Sequence, residues 1–126
     1  MKKLAVEHIL WMKEGEGIAA RGIVPEQAPF FQDHFPDFAV LPGVLSLELL
    51  KQTAECYLRS QTERDSQYAV RKVQGVKFSS FLRPGDPWES RLELVSASER
   101  QSEWTCRLLH QDRVAAVARL TLEQIE

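Results

Sequence analysis

Two residues of this 126-residue chain are placed to move protons. His34 lies in the stretch PFFQDHFPDFAVLPGVLSLELLKQ (residues 29–52), between Phe31, Phe35 and Phe38, with Pro36 fixing the backbone behind it. Imidazole is the side chain whose ordinary charge change falls nearest neutral pH. Glu48 sits inside the apolar run VLSLELL and, on a helix, shares a stripe with Val44, Leu45 and Gln52. An ionised carboxylate in apolar surroundings is costly unless paired or protonated. The pattern therefore predicts a buried carboxyl and a loop histidine, the two halves of an acid–base pair. One would take a proton from carbon and the other would return one to a leaving group. Two blander readings stay open on spacing alone: a histidine merely packed among aromatic rings, and a glutamate satisfied by one hydrogen bond from Gln52.

These residues need a loop and a helix to carry them. Pro25, Pro29, Pro36 and Pro42 stiffen residues 26–42 and rule out a helix shared by His34 and Glu48. Helix is expected from Pro42, which suits a first turn, through Val44–Arg59. Its first half, VLSLELL, is expected to be buried on most faces, and its second half, KQTAECYLRSQTERD, to turn polar and run into solvent. The N–H groups of Gly43 and Val44 at the helix start suit a developing negative oxygen, and Gly43 lets a carbonyl approach closely.

Strand character surrounds this helix. Residues 4–12 and 18–25 read as a hairpin across Glu14–Gly17. Tyr68–Leu82, Trp88–Ala97, Glu103–Leu109 and Val114–Leu122 follow with short turns between them. One antiparallel sheet wrapped round one apolar helix buries both apolar faces, so the fold class is α+β and residues 1–126 form one domain.

The totals narrow the function classes. A net charge of −2, with 16 basic and 18 acidic residues, argues against nucleic-acid binding. Cys56 and Cys106 form no CxxC pair or Cys/His cluster, so no metal and no cofactor are expected. Two lone thiols read as buried core residues in a reducing compartment. The first residues, Met1–Trp11, are too short and polar a stretch for a signal peptide or membrane insertion. A cytoplasmic protein is expected. Trp11, Trp88 and Trp104 read as packing residues, and His8 and His110 lack a chemical neighbour in sequence. Arg71, Lys72, Lys77 and Arg83 are the candidates for a basic rim that meets an acidic partner, with a solvated strand face as the open alternative.

Eliminating water from a 3-hydroxyacyl thioester needs this set of groups: a base at C2, an acid for the C3 hydroxyl and donors for the thioester oxygen. The segment His34-Phe35-Pro36, then Leu41-Pro42-Gly43-Val44-Leu45, Glu48 and Gln52, resembles the HFPxxPxMPGVLxxEAxxQ signature of FabZ/FabA-type 3-hydroxyacyl-[acyl-carrier-protein] dehydratases. A second block, Phe78 through Arg83-Pro84-Gly85-Asp86, is similar to the family's FxxPVxPGD stretch. The chain departs from the pattern at Asp33 and at Asp37-Phe38-Ala39.

The resemblance covers residues 18–122 and implies a hotdog fold, with the helix inside a curved sheet. It also implies a homodimer or higher homo-oligomer in which His34 of one subunit meets Glu48 of the other. By it, His34 is the base and Glu48 the acid, and Gly43, Val44 and Gln52 bind the thioester. Phe31, Phe35, Leu41 and Phe81 are the candidates to line an acyl tunnel. The substrate would be a thioester of acyl carrier protein or coenzyme A. Two other readings belong to the same fold: an acyl thioesterase using the helix start, and a non-catalytic partner subunit of a dehydratase complex.

Overall fold

The computed structural model describes residues 3–26, 40–62 and 66–125. Strands β1 (His8–Lys13) and β2 (Gly17–Ile23) precede helix α1 (Gly43–Ser60), and β3 (Tyr68–Phe78), β4 (Pro87–Ala97), β5 (Gln101–His110) and β6 (Arg113–Gln124) follow it. All pair antiparallel in one sheet of order β1-β2-β4-β5-β6-β3. The helix lies against β2, β3, β4, β5 and β6, which is the α+β hotdog arrangement.

Period-two alternation sets which side of the sheet meets the helix. Trp88, Ser90 and Leu92 of β4, Ser102, Trp104, Cys106 and Leu108 of β5, and Ala116, Ala118, Leu120 and Leu122 of β6 are buried. Leu49, Leu50 and Ala54 of α1 meet this face with no exposed surface of their own. The β5–β6 turn places Gln111 (φ 52°) and Asp112 (φ 64°) in the left-handed region, the pairing a two-residue hairpin turn requires.

Several boundaries differ from the sequence reading. Residues 4–7 precede β1 because Leu4 and Val6 bond the Gln52 side chain instead of a strand neighbour. β3 stops at Phe78, where Ser79 and Ser80 both donate to the Ala115 carbonyl and the chain leaves the ladder. Pro42 is the N-cap of α1 (φ −56°, ψ 144°), so helical residues begin at Gly43.

The burial of α1 is the larger correction. Its second half does not run into solvent: Thr53, Ala54, Glu55 and Tyr57 are buried. Their polar atoms find partners that make burial tolerable. Thr53 Oγ1 lies 2.7 Å from Ser90 Oγ and donates to the Leu49 carbonyl, and the Gly15 N–H donates to the Tyr57 hydroxyl at 2.8 Å. The Tyr57 ring stands edge-on to Trp104, with centroids 5.1 Å apart. The first half is the more open end: Val44 is 70% exposed and Glu48 is partly exposed, because no strand among the described residues covers that side. Trp88 and Trp104 are core residues as expected, whereas Trp11 is 49% exposed on the edge strand β1. Cys106 is buried and Cys56 only partly so; both thiols are free. No helix among the described residues is long and apolar enough to cross a membrane.

Candidate active site

The start of α1 is built from what the chain cannot do there. Pro42 has no N–H and caps without a side-chain hydrogen bond. Its carbonyl accepts from Leu45 N (2.9 Å) and Ser46 N (3.2 Å). The N–H groups of Gly43 and Val44, ahead of the first intrahelical bonds, make no hydrogen bond to a described residue. They stand at the positive end of the helix dipole, suited to an oxyanion.

Gly43 has a second reason to be glycine. A Cβ there would come within 2.7 Å of Phe78 Cζ, so the Phe78 ring occupies the space beside the helix start. Phe81 stacks on Phe78, with ring centroids 5.6 Å apart at 23°, and is itself 48% exposed. Spacing marks Gly43 for close approach, but the group that approaches in this chain is Phe78. That residue opens the second motif, and its position there is the one signal that could have singled it out.

Glu48 stands about 6 Å further along the helix axis than Val44 at the ordinary rise per residue. Among the described residues its carboxyl has no hydrogen bond and no ion pair. The expected partner, Gln52, is committed elsewhere: its Oε1 accepts from Val6 N at 3.1 Å and its Nε2 donates to the Leu4 carbonyl at 3.2 Å. The expectation of a Glu48 held in apolar surroundings is therefore corrected for the single chain, where the carboxyl is partly exposed. Leu41 is fully buried in the hydrophobic core and donates its N–H to the Leu82 carbonyl at 2.6 Å. Gly43, Val44, Glu48, Phe78 and Phe81 thus gather around the helix start, with Leu41 behind them and Gln52 turned to the N-terminal segment. His34, Phe31 and Phe35, with Asp33 and Asp37-Phe38-Ala39, lie outside the described residues.

Basic side chains lie along β3 and in the turn after it. Lys72, Lys77 and Arg83 are exposed, whereas Arg71 pairs with Glu123 at 3.2 Å. The described residues hold no group of three or more His, Cys, Asp or Glu side chains that could bind a metal ion. Clefts of about 480 Å³ (beside Tyr57 and Arg100) and about 400 Å³ (beside Trp11 and Arg107) lie away from Glu48. Helix-start donors beside an unpaired carboxyl can hold a developing oxyanion and exchange a proton with a neighbouring carbon or oxygen.

Residues 11–119 match the family described as ApeI-like, the ApeI dehydratase. The 3-hydroxyacyl-[acyl-carrier-protein] dehydratase FabZ of Albidiferax ferrireducens is 34% identical over 122 residues, covering 94% of this chain and 81% of that protein. Among solved structures, the dehydratase heterocomplex ApeI:P from Xenorhabdus doucetiae superposes with a TM-score of 0.82 at 15% identity, over 96% of this chain and 82% of that one. A thioesterase variant from Pseudomonas aeruginosa superposes at 0.67 and 17% identity, over 93% of this chain and 79% of that one. The fold is shared by both kinds of enzyme and does not by itself separate them.

Proposed function

We infer that this chain, which belongs to the ApeI-like dehydratase family, removes water from a 3-hydroxyacyl thioester to leave the trans-2-enoyl thioester. The observation that carries the reading is Glu48: a carboxyl without a partner among the described residues, one helical turn beyond two N–H groups that donate to no described residue. A carboxyl that makes no structural bond among the described residues supports a chemical use for Glu48. The thioester oxygen accepts from Gly43 N–H and Val44 N–H, which hold the enolate as it forms. His34 takes the C2 proton, and Glu48 gives a proton to the departing C3 hydroxyl. Hydrolysis of the thioester would not call on the His34–Glu48 pair, which sets the dehydratase above the thioesterase. A partner subunit without activity would have no need of both residues.

The acyl chain is carried on acyl carrier protein, whose acidic surface would meet Lys72, Lys77 and Arg83. Phe81 and Leu41, with Phe31 and Phe35, line the path of the chain. Two or more copies assemble, so that His34 of one subunit serves Glu48 of another. Val44, exposed at the helix start, and the outer edge of β3, which pairs with no described strand and has Val70, Val73 and Val76 exposed, support that assembly. Free Cys56 and Cys106 suit the cytoplasm.

The test is a chain-length series of 3-hydroxyacyl carrier-protein thioesters, read by intact mass for the loss of one water. Product is expected from at least one length. Glu48→Gln should lower turnover by about a hundredfold or more. Its melting temperature should stay unchanged, because no bond among the described residues is removed. No enoyl product at any length, or release of free thiol in its place, overturns the reading.

A further inference from the structure

The segment that carries His34 leaves the described structure after Glu26 and returns at Val40. One turn holds the residues on both sides of it. Val24 donates its N–H to the Asp86 carbonyl at 2.8 Å, and the Val24 carbonyl accepts from Gly85 N at 2.8 Å. Leu41, on the far side, donates to the Leu82 carbonyl at 2.6 Å. Val24 and Leu41 have no exposed surface, so these bonds are shielded from water. The entry and the exit of the segment are therefore tied to residues only a few positions apart, Leu82 through Asp86.

Asp86 closes that turn twice. Its N–H donates to the Arg83 carbonyl at 3.0 Å, and its Oδ2 accepts from Arg83 N at 2.8 Å. Its Oδ1 lies 3.8 Å from His110 Nε2, at the end of β5. That nitrogen is buried and has no hydrogen-bond partner. Gly85 between them sits at φ +83°, and a Cβ there would come within 3.2 Å of Glu26 Oε1. A glycine turn is conformationally free unless something fixes it, and to the backbone bonds that do so here the Asp86 carboxylate adds the side-chain bond from Arg83 N.

We propose that Asp86 is a positioning residue for the reaction. Through the Leu82–Asp86 turn it fixes Val24 and Leu41, the anchors on either side of the segment that carries His34, and so supports the acid–base step of the proposed reaction. The proposal rests on the dehydratase reading for its effect on turnover, but the clamp itself does not depend on that reading. Misplacing a reacting group by about 1 Å costs about a hundredfold in rate. Modest loosening of the turn is therefore expected to be visible in kcat before it is visible in stability.

Two variants and two readouts test it. Asp86→Ala removes the acceptor of the Arg83 N–H, whereas Asp86→Asn keeps an acceptor oxygen in the same place. Hydrogen exchange on the free protein, with no substrate present, should quicken at Val24 and Leu41 in Asp86→Ala and return towards the wild-type rate in Asp86→Asn. With the 3-hydroxyacyl thioester, Asp86→Ala should lose about tenfold or more in kcat with KM within about twofold, and Asp86→Asn should recover most of it. Asp86→Glu, too long to reach back to Arg83 N, serves in place of the alanine variant if that one does not fold, with the same losses expected.

Unchanged exchange at both anchors overturns the clamp. A rise in KM at constant kcat, or activity lost only in step with melting temperature in both variants, overturns the positioning role. If the wild-type protein dehydrates nothing, the dehydratase reading falls alone, and the exchange comparison still decides the clamp.

Discussion

Burial pushes the Cys106 thiol up from its ordinary 9.0 to about 12, and the dry core around it is the cause. The unfolded chain releases that proton above about pH 9, while the folded chain keeps it until about pH 12. Between those values the folded state holds the extra proton, so this thiol makes stability fall as pH rises. The fall approaches about 1.4 kcal/mol per pH unit for one proton. Chemical denaturation across the alkaline range should show a steeper loss in the parent than in Cys106→Ala, and equal slopes would refute this. At this scale residue type and spacing reveal Glu48 as chemistry but not its surroundings. A helical stripe tells which neighbours a side chain has on its own helix, and says nothing of whether another element covers them. Gly43 shows the same gap. Its lack of a side chain is legible, and the ring of Phe78 that needs the space is not, because it arrives from β3 through the fold.

The elements themselves were readable where alternation is strict. β4, β5 and β6 each follow period two over a continuous run, Trp88–Leu92, Ser102–Leu108 and Ala116–Leu122, and their expected cores fall within those runs. The second half of α1 was not readable, since Thr53, Glu55 and Tyr57 look solvent-seeking and become buried through partners on β4, on the same helix and in the β1–β2 turn. Tyr57→Phe isolates one of those partnerships. It keeps the ring against Trp104 and removes the acceptor of the Gly15 N–H. A stability loss of about 1 kcal/mol is expected by denaturant titration, with faster exchange at Gly15. A loss confined to the β1–β2 turn would show that helix and hairpin are joined at this point, and no loss would show that the ring alone matters.

For the molecule as a whole, the wrapped helix follows from composition and pattern, and the strand order does not. No local signal says that β3 lies beyond β6 at the edge of the sheet, because that placement is decided by pairing between distant parts of the chain. The consequence for assembly can be measured. If two copies share sites across the β3 side, Val73→Asp should shift the sedimenting mass towards the 14.4 kDa of one chain and lower turnover with it. A mass of one chain for the parent protein would end that account.

The same strand order also bears on how the molecule is built. Among the described residues β3 pairs with β6 alone, so its ladder cannot begin until Ala116, the partner of Phe78, has been made, and cannot finish before Gln124, the partner of Tyr68. The meander β4–β5–β6 closes through short turns and pays little loop entropy, whereas β3 must wait for that template. During synthesis the strand that ends at Phe78, the floor of the helix start, is thus among the last pieces to be seated. Until then its valines are open to any passing edge, and quick closure of the three-stranded meander limits how long that exposure lasts.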